Sequence, residues 1–346
     1  MTAGGRAPLG NGTAKPGRPA GGAQPGASGG PGAAAGPGPA GAAGRAGGPV
    51  RPVGDGPAGI PPVPAGAAPG SGAGRLAAIV ASVQRRLAER QARRPEAALE
   101  RAVEQGLQRE PRRSLAAVLA GGRHRPVPAV IAEIKRASPA AGRLAGAGGG
   151  GFDPVEQARA YRAGGAAALS VVTEPDHFHG DRADLERVRP LGLPVLQKDF
   201  VVSRYQLLES VLAGADAVLL IARIVPPREL ARLVRAAEEL GLEPFVEVND
   251  RRDVEAAVAA GARLIGVNHR DLDTFAIDPE RFAALVPLLP DEAVRVAASG
   301  IVTPDRAREL HALGADGVLV GEALMRSGDP AGWLRVLVAG PGGGGR

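Results

Sequence analysis

Residues 130–139 read VIAEIKRASP, an apolar run that ends in Glu133 and Lys135 and breaks at Pro139. Near-continuous apolar runs separated by helical stretches mark a parallel sheet buried on both faces. Such a sheet is either open and doubly wound or closed into a barrel. An open nucleotide-binding sheet should lead from its first strand into a Gly-rich turn. Here the first strand runs into EIKRASP instead. Polar residues recur just after many different strands, and that is where a closed barrel gathers its active site.

Seven further apolar runs follow: Ala168–Val172, Val195–Leu196, Ala217–Ile221, Phe245–Val248, Leu264–Val267, Val294–Ala297 and Val318–Val320. Between them lie stretches of helical period, including Val155–Ala163, Tyr205–Ala213, Glu229–Leu240, Asp253–Ala260, Pro279–Val286 and Pro304–Leu313, several closed by Gly. Eight strand-helix units over about 250 residues predict a (β/α)₈ TIM barrel. Upstream, Leu76, Ile79, Val80, Val83 and Leu87 predict an amphipathic helix. Second and third apolar periods run through Leu99, Val103 and Leu107 and through Leu115, Val118 and Leu119. The expected domain is therefore 75–340, with N-terminal helices over 75–120.

Residues 1–74 are Gly, Ala and Pro with few large apolar side chains, too few to offset chain entropy, so a disordered tail is expected. Five basic residues against Asp55 give this tail +4 of the chain's formal +6. The remaining 37 basic and 35 acidic residues nearly balance, which argues against nucleic acid as a partner. No signal-peptide stretch and no run of about 18 apolar residues appears, so a soluble cytoplasmic protein without membrane association is expected. The chain has no Cys, and its five His residues show no ligand spacing. No metal and no cofactor are expected. The remaining length is expected to hold no second catalytic domain, and a monomer is expected. No Met lies between Met1 and Met325, which leaves room for a downstream non-Met start.

Of 42 Lys and Arg residues only Lys15, Lys135 and Lys198 are lysine, and the last two close strand-like runs. An ammonium whose pKa is lowered can exchange a proton near neutrality, whereas guanidinium cannot. Glu133 and Lys135, two apart, share the inward face of their strand, and the same parity turns Glu247 inward between Val246 and Val248. Buried carboxylates beside lysines form either an internal ion network or a working site. The last two units carry Ser299-Gly300 and Gly321-Glu322, small turns of the kind that seat phosphate after strands seven and eight of barrels.

Taken together, VIAEIKRASPAAG, LSVVTEPDHFHGD, PVLQKDFVVSRYQLLES, GADAVLLIARI, FVEVND, IGVNHRDLDTF, ASGI and GVLVGEALMR resemble the indole-3-glycerol phosphate synthase family over about residues 75–338. The resemblance implies cofactor-free ring closure, decarboxylation and dehydration of 1-(2-carboxyphenylamino)-1-deoxyribulose 5-phosphate, a phosphorylated small molecule. It implies Lys198 as the general acid for ring closure. Glu247 and Lys135, with Glu133 adjacent, serve the later acid-base steps, whose division it leaves open. Asn268 is implied in catalysis. Ser138 and Arg270 orient substrate, and Phe178, Phe200, Leu219 and Ile221 form the slot for its aromatic ring. Ser299, Gly300, Gly321 and the backbone of Glu322 hold its phosphate.

The sequence departs from the family pattern at Ala298, where Glu usually precedes SGI, and at the Gly-rich stretch 145–151 in a loop that normally helps cover substrate. Residues 1–74 have no family counterpart. Two other readings stay open: a catalytically weakened barrel that only binds a phosphorylated ligand, and an isomerase or lyase acting on a related sugar phosphate.

Overall fold

The computed structural model describes residues 74–106, 111–144 and 152–340. Residues 1–73 of the expected tail, Leu107 and the Gly-rich stretch 145–151 lie outside the described residues, while Gly74 opens the first helix. Eight parallel strands form a closed barrel: β1 Ala129–Ile134, β2 Ala168–Val172, β3 Val195–Lys198, β4 Ala217–Ile221, β5 Glu243–Val248, β6 Leu264–Asn268, β7 Val294–Ala298 and β8 Gly317–Val320. Each strand pairs with the next in sequence, and β8 closes on β1 through Val130↔Val318 and Ile131↔Leu319. The TIM barrel expected from the apolar runs is what the chain forms. Its strands read as unbroken apolar runs because both faces are buried, one by the lumen and one by the helices.

Local sequence sets the helix boundaries. Asp153, Ser203, Asp250 and Thr303 each sit in extended conformation just before a helix and accept a hydrogen bond from an amide of its first turn. The predicted Pro279–Val286 helix is shorter, Arg281–Leu285 followed by a 3₁₀ turn over Val286–Leu288. Pro287 supplies no amide hydrogen to continue the α ladder. Between β2 and β3, where no long helical period stands out, two short helices form, Pro175–Phe178 and Ala183–Val188.

At the strand N-termini two GAD triplets place Asp216 and Asp316 in full burial. Asp216 accepts from the Val195 amide at 2.9 Å and from Arg189 at 3.1 Å. Asp316 accepts from the Arg295 amide at 2.9 Å and from Arg123 Nε at 2.9 Å. Charge-assisted bonds of this kind satisfy the buried carboxylates and join neighbouring strands at the end away from the polar mouth.

Ahead of the barrel come α1 Gly74–Arg93, α2 Glu96–Gly106 and α3 Leu115–Leu119. The apolar residues predicted for α1 are all buried. Two polar contacts fix where it docks: Arg86 pairs with Asp176 at 2.8 Å, and Ser82 Oγ lies 3.1 Å from His177 Nε2. Thus α1 braces the short helix that follows β2.

Inside the lumen, strand parity decides what lies under the mouth. Glu247 faces inward on β5, so Phe245, two residues earlier, also faces inward, one layer deeper. A Cβ on Gly266 of β6 would stand 2.4 Å from Phe245 Cζ. The Phe245 ring therefore occupies the volume a side chain at 266 would need. Gly266→Ala is expected to destabilise the fold by about 1–3 kcal/mol through overpacking, read as a lower urea midpoint at unchanged m-value.

Candidate active site

The C-terminal ends of the strands enclose a cavity of about 330 Å³, within the range that takes a small ligand. Its lining includes all the sequence-predicted residues: Glu133, Lys135, Ser138, Phe178, Lys198, Phe200, Leu219, Ile221, Glu247, Asn268, Arg270, Ser299, Gly300, Gly321 and Glu322. They come from the ends of the strands and from the loops after them. Period-two alternation aims Glu133 of β1 with Lys135 just beyond it, Lys198 of β3, Leu219 and Ile221 of β4, Glu247 of β5 and Asn268 of β6 into one space.

Two acid-base couples occupy its floor. Lys135 Nζ lies 2.6 Å from Glu133 Oε1, and Lys198 Nζ lies 3.4 Å from Glu247 Oε2. Asn268 Nδ2 donates to the other Glu247 oxygen at 2.8 Å, which fixes the carboxylate plane. Glu247 and Glu133 are nearly fully buried. Burial alone would raise the Glu133 carboxyl, but the Lys135 and Lys198 ammoniums outweigh it and hold the group below the usual carboxylate range. For Lys198, burial pulls the pKa down, and the charges of Glu247 and Glu133 outweigh that pull, so the ammonium titrates above an ordinary lysine. The lowered lysine pKa anticipated from sequence is thus reversed at Lys198, because two carboxylates face it. The site therefore carries a charged ammonium, which offers hydrogen-bond donors and a proton and has no lone pair to accept one.

An apolar wall stands on one side. Phe178 and Phe200 have ring centroids 6.0 Å apart and planes tilted by 41°, and Leu219 and Ile221 continue the surface. Phe178 is carried by the short helix that α1 braces, and Glu174 caps that helix by accepting from the amides of Asp176, His177 and Phe178. Three apolar lining residues come from the loop after β6, Leu272, Phe275 and Ile277, and were absent from the sequence expectation. Asp199 also lines the cavity, and its carboxylate is held by Thr173 Oγ1 at 2.5 Å and by the Phe200 amide at 2.8 Å.

On the other side the ends of β7 and β8 carry the small turns. Ser299 has φ 65° and Gly300 φ 69°, two successive left-handed residues of which the first is not glycine. A non-Gly residue held there stores local strain of about 1–3 kcal/mol. The following helix, Pro304–Ala312, is capped by Thr303, so this turn precedes the helix and is not its N-terminus. Gly321 is the N-cap of Glu322–Arg326, which no side chain caps. A Cβ at Gly321 would stand 2.4 Å from Glu133 Oε1 and 3.2 Å from Glu133 Cβ. Glycine is required there to make room for a carboxylate. Gly321→Ala is expected to push Glu133 off Lys135 and lower kcat/KM by about 10²-fold, a misplacement effect measurable by steady-state kinetics.

Arg270 reaches across this side. Its guanidinium donates to the Phe275 carbonyl at 3.1 Å and lies 3.7 Å from Glu322 Oε2, while its amide donates to Asn268 Oδ1 at 3.0 Å. The Glu322 side chain is thus an ion-pair partner, which the backbone role read from sequence did not include. Ala298, at the position where the sequence departs from the family pattern, also lines the cavity.

The sequence profile of indole-3-glycerol phosphate synthase matches residues 76–337. Among similar proteins, indole-3-glycerol phosphate synthase of Nocardioides sp. strain JS614 is 52% identical over 207 residues, 60% of this chain and 78% of that protein. The synthase of Micrococcus luteus is 48% identical over 225 residues, 64% of this chain and 82% of that protein. That of Beutenbergia cavernae is 44% identical over 262 residues, 75% of this chain and 93% of that protein. A barrel with two lysine-carboxylate couples at its mouth, matched over nearly all its described length, belongs to the indole-3-glycerol phosphate synthase family.

Proposed function

We propose that the protein converts 1-(2-carboxyphenylamino)-1-deoxyribulose 5-phosphate to indole-3-glycerol phosphate, CO₂ and water, in tryptophan biosynthesis, with Lys198 as the acid of ring closure. The observation that carries the residue assignment is the Lys198 ammonium, held protonated by Glu247 and Glu133 between an aromatic wall and the small turns after β7 and β8. The substrate has the same three parts in the same order: an aryl ring, a ketone and a terminal phosphate.

In this reading the aryl ring lies against Phe178, Phe200, Leu219 and Ile221, and the phosphate sits at Ser299, Gly300, Gly321 and the Glu322 backbone. The uncapped start of Glu322–Arg326 supports an anion there. Ring closure forms a bond from the carboxylate-bearing aryl carbon to the C2 carbonyl carbon, and the carbonyl oxygen takes the Lys198 proton. Loss of CO₂ then restores aromaticity. Dehydration expels the new hydroxyl as water and removes a proton, and Lys135 and Glu247 share the acid and base of this step. Glu133 holds Lys135 in place, Asn268 holds Glu247, and Ser138 and Arg270 orient the substrate carboxylate.

We take residues 75–340 as the synthase domain, including the helices of 75–120, an extent supported by the matched span. We also propose that the enzyme works as a monomer in the cytoplasm. Among the described residues no helix is long and apolar enough to cross a membrane. Size-exclusion chromatography with light scattering at micromolar concentration tests the monomer.

Incubating the purified chain with the substrate should give a rise in indole fluorescence. Substrate binding without product would overturn the reading in favour of a barrel that only binds a phosphorylated ligand, the outcome that Ala298 would then explain.

A further inference from the structure

His269 stands between Asn268 and Arg270 in sequence, yet its ring does not line the cavity. It is 1% exposed and lies behind the sheet against Phe282, with ring centroids 6.4 Å apart and planes at 36°. Its Nδ1 is 2.9 Å from the Ala298 carbonyl oxygen, and its own amide donates to that same oxygen at 2.9 Å. A carbonyl only accepts, so Nδ1 carries the proton and Nε2 the lone pair. Burial lowers the imidazole pKa and outweighs the opposing Ala298 and Ser299 backbone, and the positive charges of Arg306 and Arg281 add to the lowering.

The backbone that carries the ring is itself held firmly. The His269 carbonyl accepts from the Asp278 amide at 2.9 Å and from Arg281 Nη1 at 3.2 Å, and Arg281 also grips the Asn268 carbonyl at 3.1 Å. The oxygen that the imidazole grips belongs to the peptide that joins Ala298 to Ser299. That peptide is planar, so two donors on its oxygen fix the plane against which φ of Ser299 is set. Ser299 at φ 65° and Gly300 at φ 69° follow at once, the one place among the described residues where a non-glycine residue is held left-handed beside a left-handed glycine. A conformation of this kind persists only when its surroundings over-determine it.

We propose that His269 is a positioning residue whose Nδ1–H, bonded to the Ala298 carbonyl from behind the sheet, holds the Ser299-Gly300 turn in the shape that receives the substrate phosphate. This rests on the assignment of that turn to phosphate, made above. The imidazole touches no substrate atom. It acts through one peptide plane, so its loss should weaken phosphate binding far more than it slows the chemistry.

Two substitutions separate this role from packing. His269→Asn would keep a donor at the Nδ position and lose ring volume against Phe282, whereas His269→Leu would keep apolar volume and lose the donor. The test measures KM, kcat, melting temperature and the inhibition constant of inorganic phosphate for wild type, His269→Asn, His269→Leu and Ser299→Ala. The expected result is a KM and a phosphate inhibition constant raised about tenfold in His269→Leu, the effect of one lost hydrogen bond, with kcat changed less than about twofold. His269→Asn should recover both constants to within about threefold, even though it melts lower than His269→Leu. If Ser299→Ala weakens phosphate and His269→Leu does not, or if the constants follow melting temperature alone, His269 only packs and the proposal is overturned. If neither variant alters phosphate inhibition, the phosphate assignment itself falls.

Discussion

Lys198→Met is expected to lower kcat by about 10²–10⁴-fold, the range for a positioned general acid, while the fold is kept. Met retains most of the stem volume and adapts to an irregular wall. Glu247 keeps its bond from Asn268 at 2.8 Å, so the variant does not leave that carboxylate without a partner. KM should change little, because the apolar wall and the turns after β7 and β8 are untouched. Lys198→Arg should fail equally: it restores the charge but not a transferable proton. Wild-type turnover in either variant, followed by indole fluorescence, would sink the assignment of the acid.

Glu247→Gln should reduce kcat by about 10²-fold or more and also reshape the alkaline side of the rate profile. The introduced carboxamide could still accept from Asn268 through its oxygen, but its nitrogen would then face the Lys198 ammonium, donor against donor. The sign is set by the balance at Lys198. In the wild type, burial lowers its pKa and the two carboxylates more than compensate, so the group stays charged until pH rises past an ordinary lysine value. The stability that the charged couple contributes is present below that ordinary value and is lost only as pH climbs through the raised one. Removing the Glu247 charge leaves burial with one opponent, Glu133, and the alkaline limb of kcat/KM should move to lower pH. At the acid end Glu133 is depressed below the usual carboxylate range, so its contribution is present above that range and lost only as pH falls through the lowered value. An alkaline limb that stays in place in Glu247→Gln would show that Lys198 is not the group being titrated.

The barrel was legible because burial on two faces writes itself as unbroken apolar runs, and the first acid-base couples were legible because parity two turns Glu133, Lys135 and Glu247 the same way. Four kinds of information were not. Leu272, Phe275 and Ile277 line the cavity from a loop with no period to read, and Phe275 takes φ 60°, which no local signal announces. The amphipathic pattern of α1 shows that one face is buried but not against what, so its brace on the helix carrying Phe178 needed coordinates. The direction of the Lys198 shift also depended on distance: sequence brings a lysine near two carboxylates, and only geometry decides whether charge or burial wins. Gly321 was read as a turn for phosphate, and its closest neighbour proved to be the Glu133 carboxylate.

The Phe245 ring fills the space beside Gly266, one layer beneath Glu247. Substrate entering, the CO₂ molecule shed midway and the water lost at the end would then share the cavity mouth at the C-terminal ends of the strands. On the proposed binding mode the gas would leave past an intermediate still anchored by its phosphate, and turnover includes an escape as well as three chemical steps. An enzyme of this shape vents its by-products upward, over the molecule it is still working on.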